Sequence, residues 1–165
     1  MSKNILLIGC AGTGKTWVMK SIINNFKCEK RQKIGKFYFH SSDDIVVVGK
    51  YDGSMFEGSD RLSMSVMTDI DDFLSYTKNK IVILEGDRFM NAKLIDKAKP
   101  IIIKISGDGS KGRSLRGSNQ TERHLKAITT RVNNIKLAST DYLVNNSHEA
   151  LKIITEIICT DEKIV

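Results

Sequence analysis

Apolar and polar positions along the chain follow two rhythms. Asn4 to Ile8, Lys80 to Leu84 and Ile101 to Ile105 are short, nearly unbroken apolar runs, the pattern of strands buried on both faces. Elsewhere apolar residues recur at helical spacing. A helix starting at Lys15 carries Val18, Met19, Ile22, Ile23 and Phe26, and one across Arg61 to Tyr76 carries Leu62, Val66, Ile70, Phe73 and Leu74. A long helical segment is predicted from Asn119 to about Lys136. A final helix is predicted from His148 to about Ile158, with Ser147 as its N-cap and Leu151, Ile154 and Ile158 on its buried face. Phe37 to His40 and Ile45 to Val48 flank the turn-forming Ser41-Ser42-Asp43-Asp44 and predict a hairpin, and Tyr142 to Val144 predicts a last short strand. Lys27 to Lys36 is expected to be a solvated basic connector, and Gly107 to Gly117, rich in glycine, serine and basic residues, a mobile loop.

Strands alternating with helical segments, three of them continuously apolar, predict an α/β fold: a mainly parallel sheet with helices on both faces. With 165 residues and 41% hydrophobic content, one domain spanning 1–165 is expected. Charge adds a direction. There are 26 Lys+Arg against 19 Asp+Glu, a net charge of +7, which favours a polyanionic partner. The three cysteines, Cys10, Cys28 and Cys159, have no metal-type spacing and no disulfide framework, so a reducing, cytoplasmic setting is expected. Nowhere do about 18 apolar residues run together, and Ile5 to Ile8 is too short for a signal-peptide core, so no membrane partner is expected.

Between the first strand and the first helix lies Gly9-Cys10-Ala11-Gly12-Thr13-Gly14-Lys15-Thr16, a match to G-x-x-x-x-G-K-[ST] in the context this pattern requires. Such a P-loop bends so that successive backbone N–H groups point at phosphates, with the helix dipole behind them. Gly9, Ala11, Gly12, Thr13, Gly14, Lys15 and Thr16 are therefore expected to hold ATP, with Lys15 reaching the β- and γ-phosphates and Thr16 holding Mg²⁺. The fold expected is that of the P-loop NTPases. Ile81-Val82-Ile83-Leu84-Glu85-Gly86-Asp87-Arg88 is an apolar strand ending in carboxylates, where a group for the Mg²⁺ shell is needed; Glu85 is the first choice, and a solvated strand-end acid is the alternative.

The segment from Gly49 to Met64 mixes small, aromatic and charged residues. Tyr51 or Phe56 is placed to stack on a base, Asp60 or Asp52 to accept a hydroxyl proton, and Arg61 to hold a phosphate or a base edge. The structural alternatives are that Asp60 only caps the next helix and that Tyr51 and Phe56 are core. Lys111, Arg113 and Arg116 lie in the glycine-rich segment, and Arg123 and Arg131 follow it, either joining these charges or forming a solvated basic face.

These motifs resemble the nucleoside and nucleotide kinase branch of the P-loop proteins. Leu84-Glu85-Gly86 is similar to the Glu-Gly strand end of uridine kinases, and Asp87-Arg88-Phe89 to the Asp-Arg-aromatic motif of thymidylate kinases, whose arginine grips the acceptor's phosphate. The resemblance implies substrate contacts from Asp87 and Arg88, and a small basic lid over about 107–118 in which Arg113 and Arg116 stabilise the moving phosphoryl group. A GTPase is disfavoured, because Asn79-Lys80-Ile81-Val82 lacks the aspartate of the guanine-reading Asn-Lys-x-Asp element.

Taken in order, the P-loop, Gly49-Lys50-Tyr51-Asp52-Gly53, Gly58-Ser59-Asp60-Arg61-Leu62-Ser63, the Glu-Gly-Asp-Arg strand end and the basic lid resemble small phage-encoded P-loop kinases of thymine hypermodification. That resemblance implies a DNA partner. The γ-phosphoryl group of ATP would pass to the hydroxymethyl group of 5-hydroxymethyluridine in DNA, in the host cytoplasm. Two other readings stay open: a soluble nucleoside or nucleoside monophosphate kinase, and an ATP-dependent binding switch with no phosphoryl acceptor.

Overall fold

The apolar runs form the middle of a sheet. The computed structural model describes residues 3–54, 57–116 and 121–162. Its strands are β1 (Lys3–Gly9), β2 (Lys30–Ile34), β3 (Phe37–Ser41), β4 (Ile45–Val48), β5 (Ile81–Glu85), β6 (Ile101–Ile105) and β7 (Tyr142–Val144). They make one seven-stranded sheet in the order β2-β3-β4-β5-β1-β6-β7. β1 runs parallel to both β5 and β6, β4 parallel to β5, and β7 parallel to β6, while β2-β3 and β3-β4 are antiparallel.

The helices are α1 (Lys15–Asn25), α2 (Ile70–Tyr76), α3 (Ala92–Ala98), α4 (Ser110–Arg116), α5 (Glu122–Asn134) and α6 (Ser147–Glu162). Alternate side chains of a strand point to opposite faces, so each apolar strand supplies two cores. Leu6 and Ile8 join Val82, Leu84 and Phe39 under α2, α3 and α5, whereas Ile5 and Leu7 join Ile83, Ile103 and Val47 under α1 and α6. The expected α/β architecture, a mostly parallel sheet covered on both faces, is what forms.

Four local expectations are corrected. The basic segment at 30–34 is a strand, not a connector: β2 pairs residue by residue with β3, from Lys30↔Ser41 to Ile34↔Phe37. It is an edge strand with little to bury, so its residues carry charge, which also discourages pairing with other chains. The helix expected over 61–76 is reduced to α2, preceded by 3-10 turns at Ser59–Arg61 and Val66–Asp69. The Ser63 hydroxyl between them accepts from Ser65 N at 3.3 Å, and the Thr68 hydroxyl of the second turn donates to Ser65 O at 2.9 Å, local bonds that compete with a continuous helix.

Within the expected mobile loop, residues 110–116 are helical; Asp108 Oδ1 accepts from Ser110 N at 2.9 Å where α4 begins. At α6 the capping side chain is Asn146, which accepts from Glu149 N at 2.9 Å, and Ser147 is already in the helix. All three cysteines are free thiols, and no helix among the described residues is long and apolar enough to cross a membrane.

The most concentrated aromatic packing is Phe73 of α2 against Phe37 of β3, with centroids 4.2 Å apart and planes 7° from parallel, both fully buried. Phe73→Ala is expected to destabilise the fold by about 3–5 kcal/mol, read as a shifted midpoint in urea denaturation. Lys33→Thr on the exposed β2 should move it by less than about 0.5 kcal/mol.

Candidate functional site

β1 ends at the topological switch point of the sheet. Its own connection leaves through α1 on one face, whereas β5 connects to β6 through α3 on the other. A crevice opens where such connections part, outside the carboxyl ends of the strands. The Gly9–Thr16 segment occupies that position. Gly12 and Gly14 have φ of 90° and 93°, and Gly14, the residue before α1, makes no side-chain cap. Lys15 Nζ donates to Gly9 O at 2.8 Å and Cys10 O at 3.0 Å, and the Thr13 hydroxyl donates to Cys10 O at 2.8 Å. Ala11 through Thr16 are half-buried.

Glu85, at the end of β5, is buried, in line with Leu7 of β1. Tyr51 Oη donates to its Oε1 at 3.2 Å. Gly58, with φ 95°, packs so closely that a Cβ there would lie 2.6 Å from Glu85 Oε1, so only glycine lets the chain pass the carboxylate. Burial pushes the Glu85 carboxyl above the usual range, opposed by the positive charge of Lys15 and reinforced by the negative charge of Asp60. Tyr51 is pushed further up from its phenol value, first by burial and then by Glu85. Lys15, Glu85 and Asp60, far apart in sequence, therefore act on one another in the fold.

Asp60 is exposed in the Ser59–Arg61 turn, and neither that turn nor Val66–Asp69 has a side-chain cap, so capping does not account for it. Asp52 is instead held at 2.5 Å by Arg61 Nη1, and that bond and those from Ser54 keep its carboxyl well below the usual range. A carboxylate so held is a weak proton acceptor. Arg61 thereby faces Asp52. Asp87 is gripped by Arg131 of α5, Nε to Oδ1 at 2.7 Å and Nη2 to Oδ2 at 2.9 Å. Arg131 is exposed, and its guanidinium is directed at Asp87. Arg88 reaches Asp60 O with Nη2 at 3.5 Å, and its buried Nε has no hydrogen-bond partner among the described residues.

Arg113 of α4 places Nη1 2.7 Å from Ala11 O, so the basic segment lies against the loop. The approach is backbone to backbone, for a Cβ on Gly112 would fall 2.9 Å from the carbonyl carbon of Gly12. Lys111 and Arg123 are exposed. Arg116 belongs to α4 by its backbone, while its side chain, Phe56 and residues 117–118 of the expected lid lie outside the described residues.

Sequence reasoning missed three residues beside this site. Arg31, His40 and Lys50 line a cleft of about 160 Å³ with Tyr51, Asp52 and Arg61. The alternation that puts Tyr38 and His40 on one face of β3 was readable; the strand that brings Arg31 opposite His40 was not. It also passed over Trp17, an exposed ring just after Thr16, 4.6 Å from His148. The chain matches no protein-family model and no curated protein.

Because the folded Glu85 carboxyl sits above its unfolded value, its contribution favours the fold in acid and is lost as pH rises through the folded value. Glu85→Gln keeps an acceptor for Tyr51 and removes the buried charge. The variant should resist urea better than the parent at neutral pH, with the advantage shrinking towards about pH 4. A second measurement addresses α4. Helix propensity alone favours Gly112→Ala by about 1 kcal/mol, but the contact with Gly12 opposes it, so amide exchange across 110–116 should speed up in the variant.

Proposed function

We propose that the chain is an ATP-dependent phosphotransferase with the P-loop NTPase fold. The observation that carries this reading is geometric: the glycine-rich loop leaves the end of β1, and the buried Glu85 ends the neighbouring β5 in register with Leu7. A loop of this pattern between β1 and α1, at the sheet's switch point, suits a triphosphate. Arg113, already against Ala11 O, is a cation beside the place where phosphoryl charge would develop. Trp17 offers an aromatic face beside the loop for a base.

Thr16 and Glu85 are the residues that would hold Mg²⁺, a hydroxyl and a carboxylate with the hard oxygens this ion prefers. The bound ion would supply charge neutralisation at the phosphate oxygens. In the reaction itself, the acceptor hydroxyl oxygen forms a bond to the γ-phosphorus as the bond from that phosphorus to the β,γ-bridging oxygen breaks, and ADP leaves. Asp60, exposed and without an ion pair among the described residues, takes the hydroxyl proton. Phosphoryl transfer has a loose transition state, so positioning by the loop matters more than base strength.

For the acceptor, the reading is the hydroxymethyl group of 5-hydroxymethyluridine in DNA. The motif resemblance and the net charge of +7 support it, since a protein that neutralises backbone phosphates gains affinity by releasing counterions. A base in duplex DNA would have to leave the stack, at a cost of roughly a few kcal/mol.

The test is transfer from γ-labelled ATP to DNA containing 5-hydroxymethyluracil, with ordinary DNA and free nucleosides and monophosphates in parallel. Label is expected on the modified DNA alone. Label on a free nucleotide would assign the chain to soluble kinases, and phosphate release with no labelled acceptor to a binding switch. Lys15→Ala should lower transfer at least about 10²-fold. Asp60→Asn should keep ATP binding and lose transfer, whereas full turnover in that variant removes Asp60 from the mechanism.

A further inference from the structure

The cleft beside Tyr51 is separate from the glycine-rich loop and carries its own chemistry. Two of its walls come from the β2-β3 ribbon, where Arg31 stands opposite His40 in register. Another comes from Lys50, Tyr51 and Asp52, where paired backbone bonds join Lys50 to Gly58 at 3.1 and 2.6 Å. Three cations, Arg31, Lys50 and Arg61, face one carboxylate, Asp52. The nearby Glu57 is otherwise engaged, with Lys20 at 2.9 Å and with Gly53 N at 2.9 Å.

Lys50 and Arg61 are held in place. Lys50 Nζ sits 5.1 Å from the centroid of the Tyr38 ring, a cation-π contact that keeps the ammonium over the cleft. Arg61 is fixed by Asp52 and by Ser54 Oγ at 3.0 Å. His40 is buried, and its Nε2 accepts from Tyr51 N at 3.2 Å, which puts the ring proton on Nδ1. Burial and the adjacent Arg31 both hold its pKa down. The positive charge of the cleft is therefore that of Arg31, Lys50 and Arg61 and does not depend on histidine protonation.

Such an arrangement selects an anion with several acceptor oxygens. At about 160 Å³ the cleft has room for a phosphate group but falls short of the roughly 300–1,000 Å³ of sites that enclose drug-sized ligands. It also communicates with the carboxylate site, because the Tyr51 ring lines it while the Tyr51 hydroxyl bonds Glu85. A group anchored in the cleft is one side chain away from the end of β5.

We propose that this cleft binds a phosphate of the acceptor, with Arg31 and Lys50 as its main contacts and Arg61, positioned by Asp52, as the third. A phosphate here anchors the acceptor beside Glu85 and Asp60 and gives preference to phosphorylated acceptors, polynucleotide or mononucleotide, over free nucleosides. The word acceptor rests on the phosphotransferase reading; the affinity of the cleft for phosphate esters does not.

Fluorescence anisotropy with a labelled single-stranded oligonucleotide containing 5-hydroxymethyluracil, and competition by a nucleoside 5′-monophosphate and by the matching nucleoside, tests it. Arg31 is exposed and Lys50 half-buried, so the Arg31→Ala/Lys50→Ala double variant is expected to fold, which its thermal midpoint checks. It should bind the oligonucleotide about tenfold or more weakly, with the salt slope reduced by about 1 for each contact removed. Arg31→Glu should weaken binding further, while Lys97→Ala, on the remote α3, should leave it unchanged. Competition by the monophosphate in the parent but not in the double variant would give the same support and identify a mononucleotide as the source. Unchanged affinity of the double variant for both phosphate-bearing probes overturns the proposal. Stabilisation by Mg·ATP, measured on the same proteins, reports separately on the loop: its loss in the parent would sink the phosphotransferase reading while the cleft result stands.

Discussion

β1 is held on both sides by parallel partners and on both faces by helices, and the rest of the site depends on that confinement. Ile5, Leu6, Leu7 and Ile8 are fully buried, so the strand can neither slip in register nor tilt without exposing apolar surface on one face or the other. A one-residue slip would exchange its two cores. This rigidity fixes where Gly9 emerges and hence where the glycine-rich loop turns into α1. Leu7 lies beside Glu85 in the same register, so the loop and the carboxylate are positioned by one set of backbone hydrogen bonds.

Against that fixed frame, Glu85 is the costly element. A buried carboxylate is tolerated only when hydrogen bonds and opposite charge compensate its lost hydration. Here Tyr51 donates to it, the Ser59 backbone adds a bond, and Lys15 lies close enough to oppose the effect of burial. Compensation is incomplete, since the carboxyl still sits above its ordinary range. A further positive charge entering the site would relieve it, which fits the role proposed for Glu85 beside Mg²⁺.

Charged side chains around this centre divide by partner. Asp87 with Arg131 and Asp52 with Arg61 are paired within the chain, whereas Arg88 keeps a buried Nε without a partner among the described residues. Buried donors are rarely left without a partner. The arginine of α4 takes a third course and bonds the loop's own carbonyl. The basic segment therefore rests on the loop, where glycines on both sides permit contact at backbone distance.

Much of this was legible in the amino-acid sequence because it is local. Unbroken apolar runs name β1, β5 and β6, helical spacing names α1 and α6, and the Gly9–Thr16 pattern names its own loop conformation through the glycines it requires. The site's second half was not local. β2 buries little, so its strand character comes from pairing with β3 and leaves no periodicity to read. α2 and α4 are set by serine and aspartate side chains bonding nearby backbone, a competition that spacing does not reveal. The chain by itself determined the central strands and the loop between β1 and α1. Only the tertiary structure decided that Glu85 is buried beside Tyr51, that Asp52 and Asp87 are held by arginines while Asp60 has no ion pair among the described residues, and that Arg31 and Lys50 share a cleft. Those outcomes depend on which distant backbone segments lie side by side, and charge pairing and burial are properties of that proximity.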